Sequence, residues 1–224
     1  MTTLTKARGR SLRYRRHKGC EMNNTSPMIY LVDDDERILI ALKRLLVSAG
    51  YHVQPYQSAE DFLTMHDPDA PGCAVVDVDL PGMDGFGIQD ALWSRHHARP
   101  IIFMTGCGDI PTTVRAMKAG AVDFLTKPVD AASLFAAIEQ ALKRDQDGRQ
   151  KALQRRLVEQ RLASLTPRER EVFGCVVAGQ LNKQIAAELG TVEKTIKVHR
   201  GRMMEKMCVR TVADLVRLAA VAEV

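Results

Sequence analysis

The stretch Cys73–Gly85, CAVVDVDLPGMDG, decides how this chain is read. Four apolar or small residues run into Asp77-Val78-Asp79 and then into a turn marked by Pro81, Gly82 and Gly85. An unpaired carboxylate taken out of water costs several kcal/mol, so a buried strand that ends on acids should end at a rim, where water, a metal or a cation meets it. A positive partner is therefore expected near Asp77.

Outward from that strand the pattern alternates. MIYLVD (28–33), YHVQPY (51–56), CAVVDV (73–78), PIIFMT (100–105) and VDFLTK (122–127) are short apolar runs. The segments after them have helical spacing, with Ile38, Leu42, Leu45 and Leu46 as the first helix's buried stripe, Gly50 as its stop and Ser58 as N-cap of the second. Strands that are apolar throughout and separated by helices predict a five-stranded, doubly wound, flavodoxin-like parallel sheet covered on both faces. In such a sheet, ligands bind beyond the carboxyl ends of the strands, where the strand order reverses. Those ends carry Asp33-Asp34-Asp35, Asp77-Val78-Asp79, Thr105-Gly106 and Lys127-Pro128.

If the first and third strands are neighbours, Asp33, Asp34 and Asp77 converge, and their mutual repulsion calls for a cation. Mg²⁺ answers this, because it takes one or two carboxylates, a backbone carbonyl and waters while leaving room for a phosphoryl oxygen. Lys127 supplies a second positive group and Thr105 a hydrogen-bond donor. That set suits formation of an acyl phosphate on Asp77, with Thr105 turning inward to the new group. The side chain of Asp79 is expected to point outward.

Charge divides the chain. Residues 28–147 hold 10 basic and 18 acidic side chains, whereas residues 148–224 hold 15 and 8, so a polyanion would meet only the second part. Residues 1–27 hold 7 basic side chains and 1 acidic, lack hydrophobic periodicity and read as a disordered basic extension. It is either a nucleic-acid- or membrane-touching arm or an inert extension, with Met22 and Met28 as alternative starts. No apolar run reaches the ~18 residues of a membrane span, which predicts a cytoplasmic protein with no membrane partner. The 5 cysteines are scattered with no Cys-x-x-Cys pair, which predicts free thiols.

Residues 148–163 are charged and helix-prone, and are expected to form a helical linker or else to lie loosely between domains. Thr166-Pro167 with Glu169 makes a strong helix start, Asn182 can cap NKQIAAEL, Gly190 ends it, and TVEKTIKVHRGRMMEKM (191–207) follows after a tight turn. Two helices joined this way suggest a helix-turn-helix in a small all-α domain over 164–224. Val192, Ile196, His199, Met203 and Met207 form the expected buried stripe. Lys194, Lys197, Val198, Gly201 and Arg202 lie elsewhere, on a basic face able to enter a major groove.

Residues 28–147 resemble a response-regulator receiver domain, through the acidic pair Asp33-Asp34, Asp77 in its D-x-x-L-P-G-M-D-G context, Thr105, and Lys127-Pro128. The resemblance implies that Asp77 accepts a phosphoryl group and that Phe124, three residues before the lysine, is an aromatic switch. It also implies that the backbone carbonyl of Asp79 joins Asp33, Asp34 and Asp77 around Mg²⁺. Residues 164–220 resemble the four-helix DNA-binding domain of NarL/FixJ-type regulators, in LTPREREV, NKQIAAELG and EKTIKVHR. That likeness implies that Lys197 and Val198 reach bases while Lys194, Thr195 and Arg202 meet phosphate or base edges. Three positions depart from it: Val192 stands where serine is common, which would pass capping to Thr191, Cys208 replaces a usual glycine where a positive φ is expected, and Gly201 removes a contact, so that base preference does not carry over.

Together these readings imply a two-component transcriptional regulator, not an enzyme, whose partners are a sensor histidine kinase, promoter DNA and, on phosphorylation, a second copy of itself. One alternative is a constitutive DNA binder whose receiver serves only for oligomerisation. Another is a haloacid-dehalogenase-like phosphatase, suggested by VVDVDL, although Asp33 and Asp34 precede Asp77 where that family's metal-binding pair follows its nucleophile.

Overall fold

The computed structural model describes residues 26–94, 99–106 and 110–221. The expected extension over residues 1–27 falls almost wholly outside them. The first half runs β1 (Met28–Val32), α1 (Glu36–Ser48), β2 (His52–Tyr56), α2 (Ala59–Met65), β3 (Gly72–Asp77), α3 (Gly85–Ser94), β4 (Ile101–Thr105), α4 (Ile110–Lys118) and β5 (Asp123–Thr126). All strand pairs are parallel, in the order β2-β1-β3-β4-β5. The order reverses between β1 and β3, which is what brings the end of one beside the end of the other.

Successive residues of a strand face opposite sides of its sheet, so each apolar strand feeds two cores. Tyr30, Val32, Val76 and Phe103 pack with Phe62 of α2 and Leu92 of α3 on one face. Ile29, Leu31, Val75 and Ile102 pack with Leu42 and Leu46 of α1 and Leu134 and Ile138 on the other. The expected α1 stripe is shifted by a residue at its start: Leu39 is buried, and Ile38 and Leu45 lie half-buried at the margin. Gly50, at φ +91°, turns the chain out of α1. Gly72 begins β3 at φ +147°, and a Cβ there would run into the backbone of Met28.

Local hydrogen bonding fixes the helix starts. Asp35 accepts from the backbone N–H of Arg37 at 2.8 Å, Ser58 from Asp61 at 3.1 Å and Asp130 from Ser133 at 2.9 Å. From Asp130 a single helix, α5, runs over Ala131–Ala163. Its near end lies in the core beneath the sheet through Leu134, Ala137 and Ile138, and its far end enters another core through Val158.

That third core belongs to α6 (Pro167–Val177), α7 (Asn182–Glu188), α8 (Glu193–Lys206) and α9 (Val212–Val221), whose Val172, Phe173, Ile185, Ile196, Met203 and Leu215 meet in its centre. Thr166 closes a reciprocal capping box with Glu169 at the start of α6. Asn182 does not cap α7. It is the first helical residue, Gln184 Oε1 accepts the Leu181 N–H at 2.7 Å instead, and Asn182 Oδ1 accepts from Arg200 of α8 at 2.8 Å. Nor does capping of α8 fall to Thr191: Val192 holds the cap position with no side-chain bond. Being extended, at φ −97° and ψ 149°, it escapes the helical periodicity and stands 65% exposed instead of joining the buried stripe.

Candidate functional site

The carboxyl ends of β1, β3, β4 and β5 form one rim. Register pairs Val32 with Val76, and the next residue on each strand is an aspartate, so Asp33 and Asp77 face each other across the switch point. Both are buried, while Asp34 is exposed beside them. Lys127 follows β5, its N–H donating to the Thr105 carbonyl at 2.7 Å. From there its Nζ reaches Asp33 Oδ2 and Asp77 Oδ2, each at 2.7 Å. The positive partner that the sequence of β3 demands is thus present in the chain itself.

Electrostatics match this geometry. Burial pushes the Asp33 carboxyl above its usual range, opposed by the bond from Lys127 and by the Asp35 N–H. Burial alone would lower Lys127, but bonds and charge from Asp33 and Asp77 outweigh it and hold the ammonium above its ordinary value. One ammonium is shared by two carboxylates, and Asp34 adds a third. Asp33, Asp34 and Asp77 each bring a carboxylate oxygen within 4.8 Å of the others. A hard, all-oxygen donor set of this spacing suits a divalent cation such as magnesium.

Thr105 is buried, and its hydroxyl donates to Asp79 Oδ2 at 3.3 Å. This corrects the expectation for Asp79: its side chain is exposed but leans over the rim toward Thr105, because its own N–H is held by Asp77 Oδ1 at 3.3 Å. Phe124 is half-buried, its ring centroid 6.5 Å from that of Phe103. Ile110, Val114 and Met117 of the adjacent α4 are exposed.

In the second half, α6 and α7 brace α8. Lys194, Lys197, Val198, Gly201 and Arg202 are exposed along it, Thr195 is half-buried, and Ile196, Met203 and Met207 hold the helix to the core. His199 is half-buried, and among the described residues it belongs to no cluster of metal-ligating side chains. Cys208, directly after α8, has φ +54°, the left-handed conformation expected where a glycine is usual. Of the described cysteines, Cys73, Cys175 and Cys208 are free, and burial pushes the Cys73 thiol up to about 12.

Several contacts had no sequence signal because they join distant segments. Lys206, at the end of α8, donates to Glu169 Oε2 at 2.6 Å and to the Ser164 carbonyl at 3.1 Å, tying α8 to the start of α6. Below the sheet, Arg99 lies 4.5 Å over the Tyr30 ring and donates to the Asp67 carbonyl at 2.7 Å. Asp145 and Arg149 of α5 join the same base; their four-residue spacing, suited to a helical ion pair, is the sole local hint.

No helix among the described residues is long and apolar enough to cross a membrane. Residues 29–139 match the response regulator receiver domain, and residues 163–219 match the luxR family of bacterial regulatory proteins. Nodulation protein W of Bradyrhizobium diazoefficiens is 42% identical over 88% of this chain and 86% of its own length. The structure of the response regulator StyR, 44% identical, covers 88% of this chain and 99% of its own, with a TM-score of 0.78. Full-length FixJ from B. japonicum, 40% identical, covers 89% of this chain and 98% of its own, with a TM-score of 0.54. At near-equal identity and coverage, the whole-chain likeness is higher to StyR than to FixJ. The chain belongs to the two-component response regulators that join a receiver domain to a LuxR-family DNA-binding domain.

Proposed function

We propose that this regulator is switched by phosphorylation of Asp77 from a sensor histidine kinase and that the phosphorylated form pairs with a second copy to bind promoter DNA. The working boundaries are 28–147 for the receiver, 148–163 for the connection and 164–224 for the DNA-binding part. One observation carries the reading: Asp33, Asp34, Asp77, Thr105 and Lys127, from four strand ends, share one rim, with Lys127 bridging two of the carboxylates.

In the transfer, an Asp77 carboxylate oxygen bonds to phosphorus as the bond from phosphorus to the kinase's histidine nitrogen breaks, and the electron pair leaves with the nitrogen. Lys127 neutralises charge on the transferred oxygens and loses part of its hold on Asp77 as that carboxylate becomes an acyl phosphate. Thr105 exchanges its bond to Asp79 for one to a phosphoryl oxygen, and Phe124 follows into the space this vacates, altering the face that α4 and β5 present. Asp33, Asp34, Asp77 and the backbone carbonyl of Asp79 would hold Mg²⁺, which supplies electrostatic stabilisation of the phosphoryl oxygens.

On DNA, Lys197 and Val198 are assigned to base edges and Lys194, Thr195 and Arg202 to phosphate or base edges. A dimer sets two α8 helices on adjacent half-sites and couples their binding. The test is Asp77→Asn, compared with wild type for phosphoryl uptake from a small-molecule donor and for promoter affinity at one fixed salt concentration. Wild type is expected to take up one phosphoryl group and gain DNA affinity, while the variant does neither. Equal affinity with and without donor in the wild type would favour constitutive binding, and rapid turnover of a phosphomonoester would favour a phosphatase.

A further inference from the structure

Residues 150–157 of α5 are exposed throughout, so between the two domains the helix touches neither core. A stretch that packs on neither core gains no helical stability from tertiary contact and is held by its own propensity and by the anchored turns on either side of it. Its order depends on what grips each end. The far grip is visible in the third core, where Val158 is buried and Arg161 Nη1 donates to the Met207 carbonyl at 3.1 Å.

The near grip lies at the base of the receiver, opposite the phosphorylation rim. Asp145 is buried and accepts from the Gly72 N–H at 2.9 Å and from Arg149 Nε at 2.8 Å. Arg149 then donates to the Asp69 carbonyl at 2.7 Å and to the Ala70 carbonyl at 2.6 Å, both in the turn between α2 and β3. From the other side, Arg99 holds the Asp67 and Ala70 carbonyls at 2.7 and 3.1 Å. Charge-assisted bonds of this kind are stronger and more directional than neutral ones. Between the two latch residues stands Gly148, and a Cβ there would meet nothing within 4 Å. No steric demand explains a glycine in this helix interior, where it is a poor helix former.

We propose that Asp145 and Arg149 form a latch that seats the interdomain helix on the turn between α2 and β3, and that Gly148 makes the helix beyond the latch easy to melt once the latch opens. The latch is a positioning device: it sets where the DNA-binding domain stands relative to the receiver.

The test is amide hydrogen exchange of the full-length chain, read at residues 150–157 and, as a control, in β1 and β3. Arg149→Ala removes the bonds to Asp69 and Ala70 and is expected to speed exchange at 150–157 by about tenfold or more, with strand exchange unchanged. Gly148→Ala is expected to slow it by about fivefold, and to recover part of the loss when combined with Arg149→Ala. Asp145→Asn should act like Arg149→Ala; if it also speeds exchange in the strands, it has loosened the receiver and the Arg149 variant decides. Unchanged exchange at 150–157 in Arg149→Ala overturns the proposal. So does a Gly148→Ala chain no more protected there than wild type. The readout needs no phosphoryl donor, so it is independent of whether Asp77 is the acceptor. Where Asp77 is phosphorylated, Arg149→Ala is expected to leave uptake intact and to reduce the gain in DNA affinity.

Discussion

At the rim of the sheet, Lys127 Nζ stands 2.7 Å from two buried carboxylates, whereas on α8 the Lys197 ammonium is 66% exposed and nears Glu193 at only 3.4 Å. Both regions are charged and both are assigned to function, but they hold their charge under opposite conditions. The rim concentrates like charges in a place that water reaches poorly, so each group there is fixed by the others and a small, highly charged ligand changes all of them at once. The face of α8 spreads basic groups in solvent, where each is loosely held and a large polyanion can recruit several with little rearrangement. A switch needs the first arrangement and an electrostatic footprint the second.

Removing one lysine from each region should separate the two most widely. Lys127→Met leaves Asp33 and Asp77 buried without their cation, and breaking such a pair from one side should cost about 3 kcal/mol of receiver stability. Lys197→Met removes only a surface contact and should cost no more than about 0.5 kcal/mol. Denaturant unfolding followed through Trp93, the chain's 1 tryptophan, reports the receiver for the first variant. Far-UV circular dichroism, which sums the helices of both domains, is read beside the Trp93 transition for the second. Added Mg²⁺ is expected to restore part of the Lys127→Met loss. Comparable costs at both sites would erase the contrast drawn here.

A second comparison sets a buried acid of the DNA-binding half, Glu169, against the rim acid Asp33, whose carboxyl burial pushes up. Bonds from Lys206 and from the Thr166 N–H hold the Glu169 carboxyl down to about 2. A carboxyl lowered on folding adds stability that is complete above its unfolded value of ~4.5 and disappears as pH falls through the folded one. Acid titration between about pH 5 and pH 2 should therefore destabilise this domain more in wild type than in Glu169→Gln, which has no proton to bind. Circular dichroism at stepped pH reads the difference. Parallel acid profiles would mean that Lys206 does not grip Glu169 in solution.

How much of this was legible beforehand follows the range of the interactions. The apolar runs of β1, β3 and β4 and the acids at their tips are local signals, so the parallel sheet and the gathering of Asp33, Asp77, Thr105 and Lys127 could be read from the chain order alone. Thr166 and Ser58 were readable as caps for the same reason. Asn182 was not, because its side chain answers Arg200 across 18 residues in sequence instead of its own helix. Asp79 escaped because alternation along a strand stops predicting orientation once the strand has ended and the backbone turns. The latch and the Lys206–Glu169 bond depend on tertiary neighbours, to which periodicity is blind.

The start of α8 offers the finest version of the comparison, since α6 and α8 begin in the same domain with opposite equipment. Thr166 and Glu169 satisfy N–H groups at the start of α6 reciprocally, while Val192 offers α8 no side-chain acceptor, only its carbonyl, which takes the Thr195 N–H at 3.0 Å, and leaves its isopropyl group 65% exposed. Val192→Ser replaces a side chain with little burial to lose by a hydroxyl that can accept from the Thr195 N–H, and the extended backbone at this position already suits a capping serine. The expected gain is about 1 kcal/mol in the DNA-binding domain, seen as a shift of its circular dichroism transition to higher denaturant with the Trp93 transition unmoved. An unchanged or lower midpoint would show that the first turn of α8 is already satisfied by some other group, and that the difference between the two helix starts lies in their sequences without reaching their stability.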